Sequence, residues 1–351
     1  MLHIQVDVRT VQRIEKQPMI KNIDRRRFLV GLLGIPVAFM GLEIEPQDTD
    51  QPTIVNDERM AFFENEMATR WEMLLIGGPV RAGRGLWLWL HEIERFTRAA
   101  RGTAWHKRTL ALLSMSYQLQ GSVAGDRMDY VQAQSAYKKA SDVAQELDDY
   151  ELMGAALTRQ GFTFMRQEQP LEAIASLTGA LESINGRHLP ALRGNILNVL
   201  SEAYAKSQQP QACWRSIGLA ERVLEYGEPV RERSHRLFDA AAVSAHKGID
   251  ALLLRDYQRA IALIDKSLVT YNPTLTPGRA RLIVRKAEAY YGLGEIDTCV
   301  AYAEETLMLA RSVGASNTIT RVQNLHATLA QSRWRKEQSV ARLGALLTLR
   351  I

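Results

Sequence analysis

The chain has 351 residues, 46% hydrophobic and 24% charged, which is enough to bury a sizeable core and leaves nothing to force disorder. Its two cysteines, Cys213 and Cys299, exclude a disulfide framework, lack the paired spacing of a zinc or redox motif, and read as small apolar core residues. Of the net charge of +5, residues 1–27 supply +4, with seven Lys or Arg against three Asp or Glu, so the nearly neutral body carries no broad footprint for nucleic acid or a membrane surface.

At the N-terminus, residues 5–16 (QVDVRTVQRIEK) form a basic amphipathic helix pattern. This tract resembles the recognition helix of the phage-repressor-like (XRE-type) helix-turn-helix family. The resemblance implies that Arg9, Thr10, Gln12 and Arg13 face DNA in the major groove. The helices that should precede it are absent from a chain beginning at Met1, so residues 1–23 are expected to be a partial remnant that binds DNA only if a complete helix-turn-helix is supplied.

Residues 24–29 (DRRRFL), followed by an apolar run over 28–42, resemble a twin-arginine export signal at Arg25 and Arg26, which implies an exported helical-repeat scaffold as the alternative. No small-x-small cleavage site follows, and residues 33–42 also resemble the segment joining a repressor-like domain to a helical sensor, so a cytoplasmic location is the leading expectation. The run is short against the roughly 20 residues of a membrane span. Residues 43–58, with two prolines and six acidic residues, complete a linker segment over 24–58.

Residues 59–102 are expected to hold two leading helices, over 59–75 and 86–99, with Trp71, Trp87 and Trp89 as packing residues. Between them, GGPVRAGRG (77–85) places Arg84 and Gly85 where a phosphate loop needs Lys and then Ser or Thr, so it reads as a flexible connection. The tract HEIER (91–95) lacks the second histidine of a zinc-protease helix. The remaining histidines are scattered and no nucleophile neighbourhood stands out. No catalytic residue, metal or cofactor is therefore expected, and the chain reads as non-enzymatic.

Residues 103–351 carry a repeat: a small residue, a usually bulky one four later, and a small one three after that. The matches are Ala133, Tyr137, Ala140; Ala173, Leu177, Ala180; Cys213, Ile217, Ala220; Ala260, Ile264, Ser267; and Cys299, Ala303, Thr306, with first members 40, 40, 47 and 39 residues apart. Positions i, i+4 and i+7 share one helix face, where two small residues admit a neighbouring helix and the bulky one fills the gap. Four units have a contact residue nine positions earlier, at Phe164, Tyr204, Ala251 and Tyr290. In the first, Tyr117 lies sixteen earlier, and a loop over 122–127 is expected to absorb the difference.

Gly161, Tyr290 and the tract AEAYYGLG (287–294) are where the pattern resembles tetratricopeptide repeats, over about residues 103–314 with a capping helix over 316–347. The period near 40 departs from the usual 34 and resembles the longer repeats in sensor domains of bacterial transcriptional regulators. The resemblance implies an all-α, right-handed α-solenoid of tetratricopeptide-like helix pairs whose first helices line a concave groove.

Counting from the contact residues, that groove presents Arg159 and Phe162, then Asn195, Asn198 and Glu202, then Arg281, Arg285 and Glu288. Side-chain amides can both donate to and accept from a peptide backbone, and Arg can clamp a carboxylate. The expected function is a non-enzymatic sensor or interaction module that binds a peptide or protein in the groove, with homo-oligomerisation left open.

Overall fold

The computed structural model describes residues 53–225 and 238–349. The tract expected to be a helix-turn-helix remnant, with Arg9, Thr10, Gln12 and Arg13, the Arg25–Arg26 tract and most of the expected linker lie outside the described residues. Fourteen α-helices make up nearly all of the described chain. They are α1 (Asp57–Ala82), α2 (Leu86–Ala99), α3 (His106–Asp126), α4 (Tyr130–Glu146), α5 (Tyr150–Arg166), α6 (Pro170–Ser183), α7 (Pro190–Lys206), α8 (Pro210–Glu225), α9 (Ala240–Leu253), α10 (Tyr257–Thr270), α11 (Thr276–Leu293), α12 (Ile296–Val313), α13 (Ser316–Gln331) and α14 (Gln338–Thr348). From α3 to α12 consecutive helices pair, and successive pairs stack into an all-α solenoid.

The repeat pattern accounts for the pairing. All fifteen motif residues are buried, none more than 3% exposed. A second small residue stands in phase with them, twelve positions before the first motif residue of each unit: Gly121, Gly161, Ser201, Gly248 and Ala287. It sits on the first helix of each pair. A Cβ added at Gly161 would come within 2.7 Å of Leu177, and one at Gly248 within 2.7 Å of Ile264. In the three glycine units the second helix thus rests its bulky residue on bare backbone of the first, giving a close seam.

The turn inside each pair is also repeated. Five positions before the motif, Met128, Glu168, Gln208, Arg255 and Gly294 take φ of 64°, 60°, 56°, 65° and 80°. The next N–H, of Asp129, Gln169, Gln209, Asp256 or Glu295, donates at 2.8–3.0 Å to the carbonyl of Ala124, Phe164, Tyr204, Ala251 or Tyr290. This Schellman-type closure satisfies helix-end carbonyls five times over.

The same closure corrects the reading of the first unit. Its contact residue is Ala124, nine before Ala133 as in the other units, and α3 runs unbroken to Asp126 with no loop over 122–127. Tyr117 belongs instead to the leading core, donating its hydroxyl to Glu94 at 2.7 Å.

Two other expectations change. The capping helix over 316–347 is two helices, because the tract RWRK (333–336) interrupts the apolar spacing and Trp334 folds back edge-on against Tyr291 at 5.8 Å. The 77–85 tract is no loose connection: α1 continues through a kink at Gly78 (φ 78°) and Pro79 to Ala82. Of the leading tryptophans, Trp71 and Trp89 are buried against Phe63 and Phe96, whereas Trp87 is 64% exposed.

The kink has a packing reason. The end of α1 lies against α11 and α12, where a Cβ on Gly78 would strike the Val313 carbonyl and one on Gly314 would strike Val80. Nearby, Asn317 Nδ2 donates to the Tyr130 hydroxyl at 3.3 Å, and Thr320 meets Met128. The stack therefore curves until its last helices touch its first. No described helix is long and apolar enough to cross a membrane.

Candidate functional site

The curvature leaves a concave chamber of about 860 Å³, walled chiefly by the first helices of the pairs together with α1 and α13. Helical spacing puts the inward side chains in a shared register, fourteen and eleven positions before each unit's motif: Arg159 and Phe162 on α5, His246 on α9, Arg285 and Glu288 on α11, with Glu202 at the second position on α7. Asn195 on α7 and Arg281 on α11 stand a further turn back, both eighteen before.

Of the eight residues read from the sequence as lining the groove, Arg159, Phe162, Asn195, Glu202, Arg281, Arg285 and Glu288 all line the chamber. Asn198 does not. Thirteen of the seventeen residues of α7 are buried, so a position slightly off the inward face is covered by neighbouring helices, and Asn198 is 1% exposed.

The floor of the chamber is a buried charge relay. Arg285 Nη2 donates to Glu202 Oε1 at 3.1 Å, and Arg285 Nη1 to Glu288 Oε2 at 3.3 Å. From α13, Arg321 Nη1 donates to both oxygens of Glu288, at 2.9 and 3.1 Å. His246 Nδ1 stands 3.5 Å from Glu202 Oε2. Four helices are thus tied together across the concavity.

Burial pushes the Glu202 carboxyl upward, but Arg285 with His246, Arg281 and Arg321 outweighs it and holds it below the usual carboxylate value. Glu288 behaves alike: burial opposes ionisation, while Arg321 and Arg285 prevail. Behind the relay, fully buried Asp250 on α9 goes the other way. Burial raises it well above the ordinary range, the Ser201 hydroxyl opposing and the Glu202 charge adding to the rise.

Around the relay the other wall carboxylates are engaged within the protein. Asp126 pairs with Arg166 at 2.6 Å, Glu168 with Lys206 at 2.6 Å, and Asp239 accepts the Ala242 N–H at 2.7 Å, capping α9. Two wall cations lie on aromatic faces: Arg159 4.5 Å over Trp71, and Arg281 5.4 Å over Phe162. The Asn195 side chain is 7% exposed, and its Nδ2 has no acceptor among the described residues.

His246, Arg321, Asp250 and the chamber-facing role of Trp71 were not read from the sequence. His246 could have been found, since it shares the register of Arg159 and Arg285. Arg321 lies beyond the last motif and Trp71 before the first, so no count from the repeat reaches them.

No family model matches this chain, and no curated protein matches it. Among solved structures, it is similar to aspartyl phosphate phosphatase F from Bacillus subtilis, at 13% identity over 86% of this chain and 87% of that one, with a TM-score of 0.54. It is also similar to a Rap protein complexed with competence and sporulation factor, at 12% identity over 83% of this chain and 86% of that one, with a TM-score of 0.53. At such identities the likeness is one of fold: a tetratricopeptide-like helical-repeat solenoid.

Proposed function

We propose that the chain is a non-enzymatic sensor or interaction module that takes a short peptide, or an extended segment of a protein, into its chamber. The observation that carries this reading is the lining itself. The buried Asn195 Nδ2, without an acceptor among the described residues, lines the same chamber as Arg281, Glu202 and Phe162, which together offer hydrogen-bond, charge and apolar contacts on the concave side of a helical stack. The fold neighbour complexed with competence and sporulation factor supports it as an analogy. Arg285, already bound to Glu202 and Glu288, is a brace of the wall, so the carboxylate clamp expected of it falls to Arg281.

In the same reading residues 1–23 and 24–58 are a helix-turn-helix remnant and a linker, and residues 59–102 lead into the repeats at 103–351, as in a cytoplasmic relative of bacterial transcriptional regulators. Trp71 lines the chamber beneath Arg159 and serves as an internal probe. Titration with peptide pools should change tryptophan emission in the parent chain and not in Trp71→Phe. Calorimetry should give one site per chain. No heat and no emission change with any pool would end the reading.

A further inference from the structure

The chamber's chemistry is lopsided. Its carboxylates each have a partner inside the protein, whereas Arg281 has no carboxylate within 4.0 Å among the described residues and rests only on the Phe162 ring. Two further donors point the same way. Asn195 Nδ2 and Arg285 Nε are both buried with no acceptor among the described residues. A donor left unpaired in a buried wall costs free energy, so a wall with several such donors and a spare cation suits an incoming acceptor that carries negative charge.

The placement is consistent. First helices of stacked pairs run in the same direction, and Asn195 and Arg281 hold the same register position on α7 and α11. Both lie N-terminal, on their helices, to the Glu202–Arg285 contact that joins those helices across the concavity. A basic group would instead meet Arg281, Arg285 and Arg321, and the relay carboxylate oxygen left without a hydrogen bond among the described residues, Glu202 Oε2, already stands 3.5 Å from His246 Nδ1.

We infer that the peptide held in this chamber presents a carboxylate to Arg281 and Asn195, either an Asp or Glu side chain or its own C-terminus. The inference rests on the reading of the chamber as a peptide site. It is tested on the full chain with fluorescent random hexapeptide pools that are acidic, neutral or basic, each made with a free or an amidated C-terminus.

Pools that carry the recognised carboxylate should bind about ten- to a hundredfold more tightly than those that lack it in dilute buffer, and the margin should shrink as salt rises to about 0.5 M. If a side chain supplies it, acidic pools bind more tightly than basic ones and amidation leaves that margin intact; if the C-terminus supplies it, free pools of every composition bind more tightly than their amidated forms. Arg281→Gln should erase the preference without lowering the melting temperature, and Arg281→Lys should keep part of it. Binding indifferent both to pool charge and to amidation, or a preference that survives Arg281→Gln, overturns the inference while leaving a peptide site in place. Failure of every pool to bind overturns both.

Discussion

Each first helix of a pair has two faces that obey different rules. Towards its partner, α5 presents Gly161 under Leu177, and α9 presents Gly248 under Ile264, a close seam of small residues and bare backbone. Towards the chamber the same helices present Arg159, Phe162 and His246, and their neighbours α7 and α11 present Glu202, Arg285 and Glu288. The seam repeats because every pair solves the same packing problem. The wall varies because each of its positions meets a different residue across the concavity. Close packing fixes the spacing of the helices, and that spacing sets charges more than eighty residues apart in sequence, such as Glu202 and Arg285, at hydrogen-bond distance.

The sharpest way to break this contrast is at the wall. Glu202→Ala leaves Arg285 buried with one carboxylate partner instead of two, and should cost about 3–5 kcal/mol in urea melts, with the double replacement of Glu202 and Arg285 by leucine costing less than the single change. A loss below about 1 kcal/mol would mean that water, not protein, solvates this guanidinium.

At the seam, Gly161→Val drives a side chain into Leu177 and should cost about 1–3 kcal/mol, as should Ala180→Leu. If Gly161→Val were as stable as the parent, the close approach between α5 and α6 would not be what fixes their spacing.

The pH dependence separates the two carboxylate environments. Glu202 and Glu288 have lowered values in the fold, so the stability they contribute is present above the ordinary carboxylate value, about 4.3, and disappears as pH falls through their lowered values. Asp250 has a raised value, so its contribution is present below the ordinary aspartate value, about 3.9, and is lost as pH rises towards its folded one. Asp250→Asn should therefore remove the decline that begins as pH rises above about 3.9 and spare the loss that the two glutamates cause as pH falls, a difference urea melts at several pH values resolve. Identical curves for variant and parent would show that Asp250 does not carry the proton.

The smallest effect lies in the turns. Arg255 holds a left-handed φ of 65° where the fifth unit has Gly294, so Arg255→Gly should gain about 0.5–1 kcal/mol and Gly294→Ala lose about 1 kcal/mol. A loss on Arg255→Gly would show that its side chain contributes more than its backbone strain costs.

These two faces also explain what was legible. The seam could be read from one sequence because identical demands leave an in-phase signal: small, bulky and small residues at fixed offsets, a helical period, and the Gly294 turn. The all-α solenoid followed from that. Seven of the eight expected lining residues followed too, because a known helical register converts spacing into direction. Asn198 was misplaced because the register gives an angle and not the cover supplied by neighbouring helices. The pairing of Arg285 with Glu202 was invisible for a different reason: a contact across 83 residues depends on the curvature of the whole stack, which no single unit encodes. The loop read into the first unit came from choosing Tyr117 as the landmark by size, when the turn geometry marks Ala124.

The meeting of the ends changes how such a chain gives way. An open array of repeats holds only nearest-neighbour contacts, so its outer units fray first and it can assemble from any starting point. Here Val80 rests on Gly314 and Met128 meets Thr320, 192 residues further along the chain. Contacts of that span raise the contact order and slow folding, while the entropy of closing so long a loop grows only with the logarithm of its length. Helices α1 and α12, braced against one another, are tied to the same cooperative transition as the middle, and their amide exchange should follow global opening instead of local fraying.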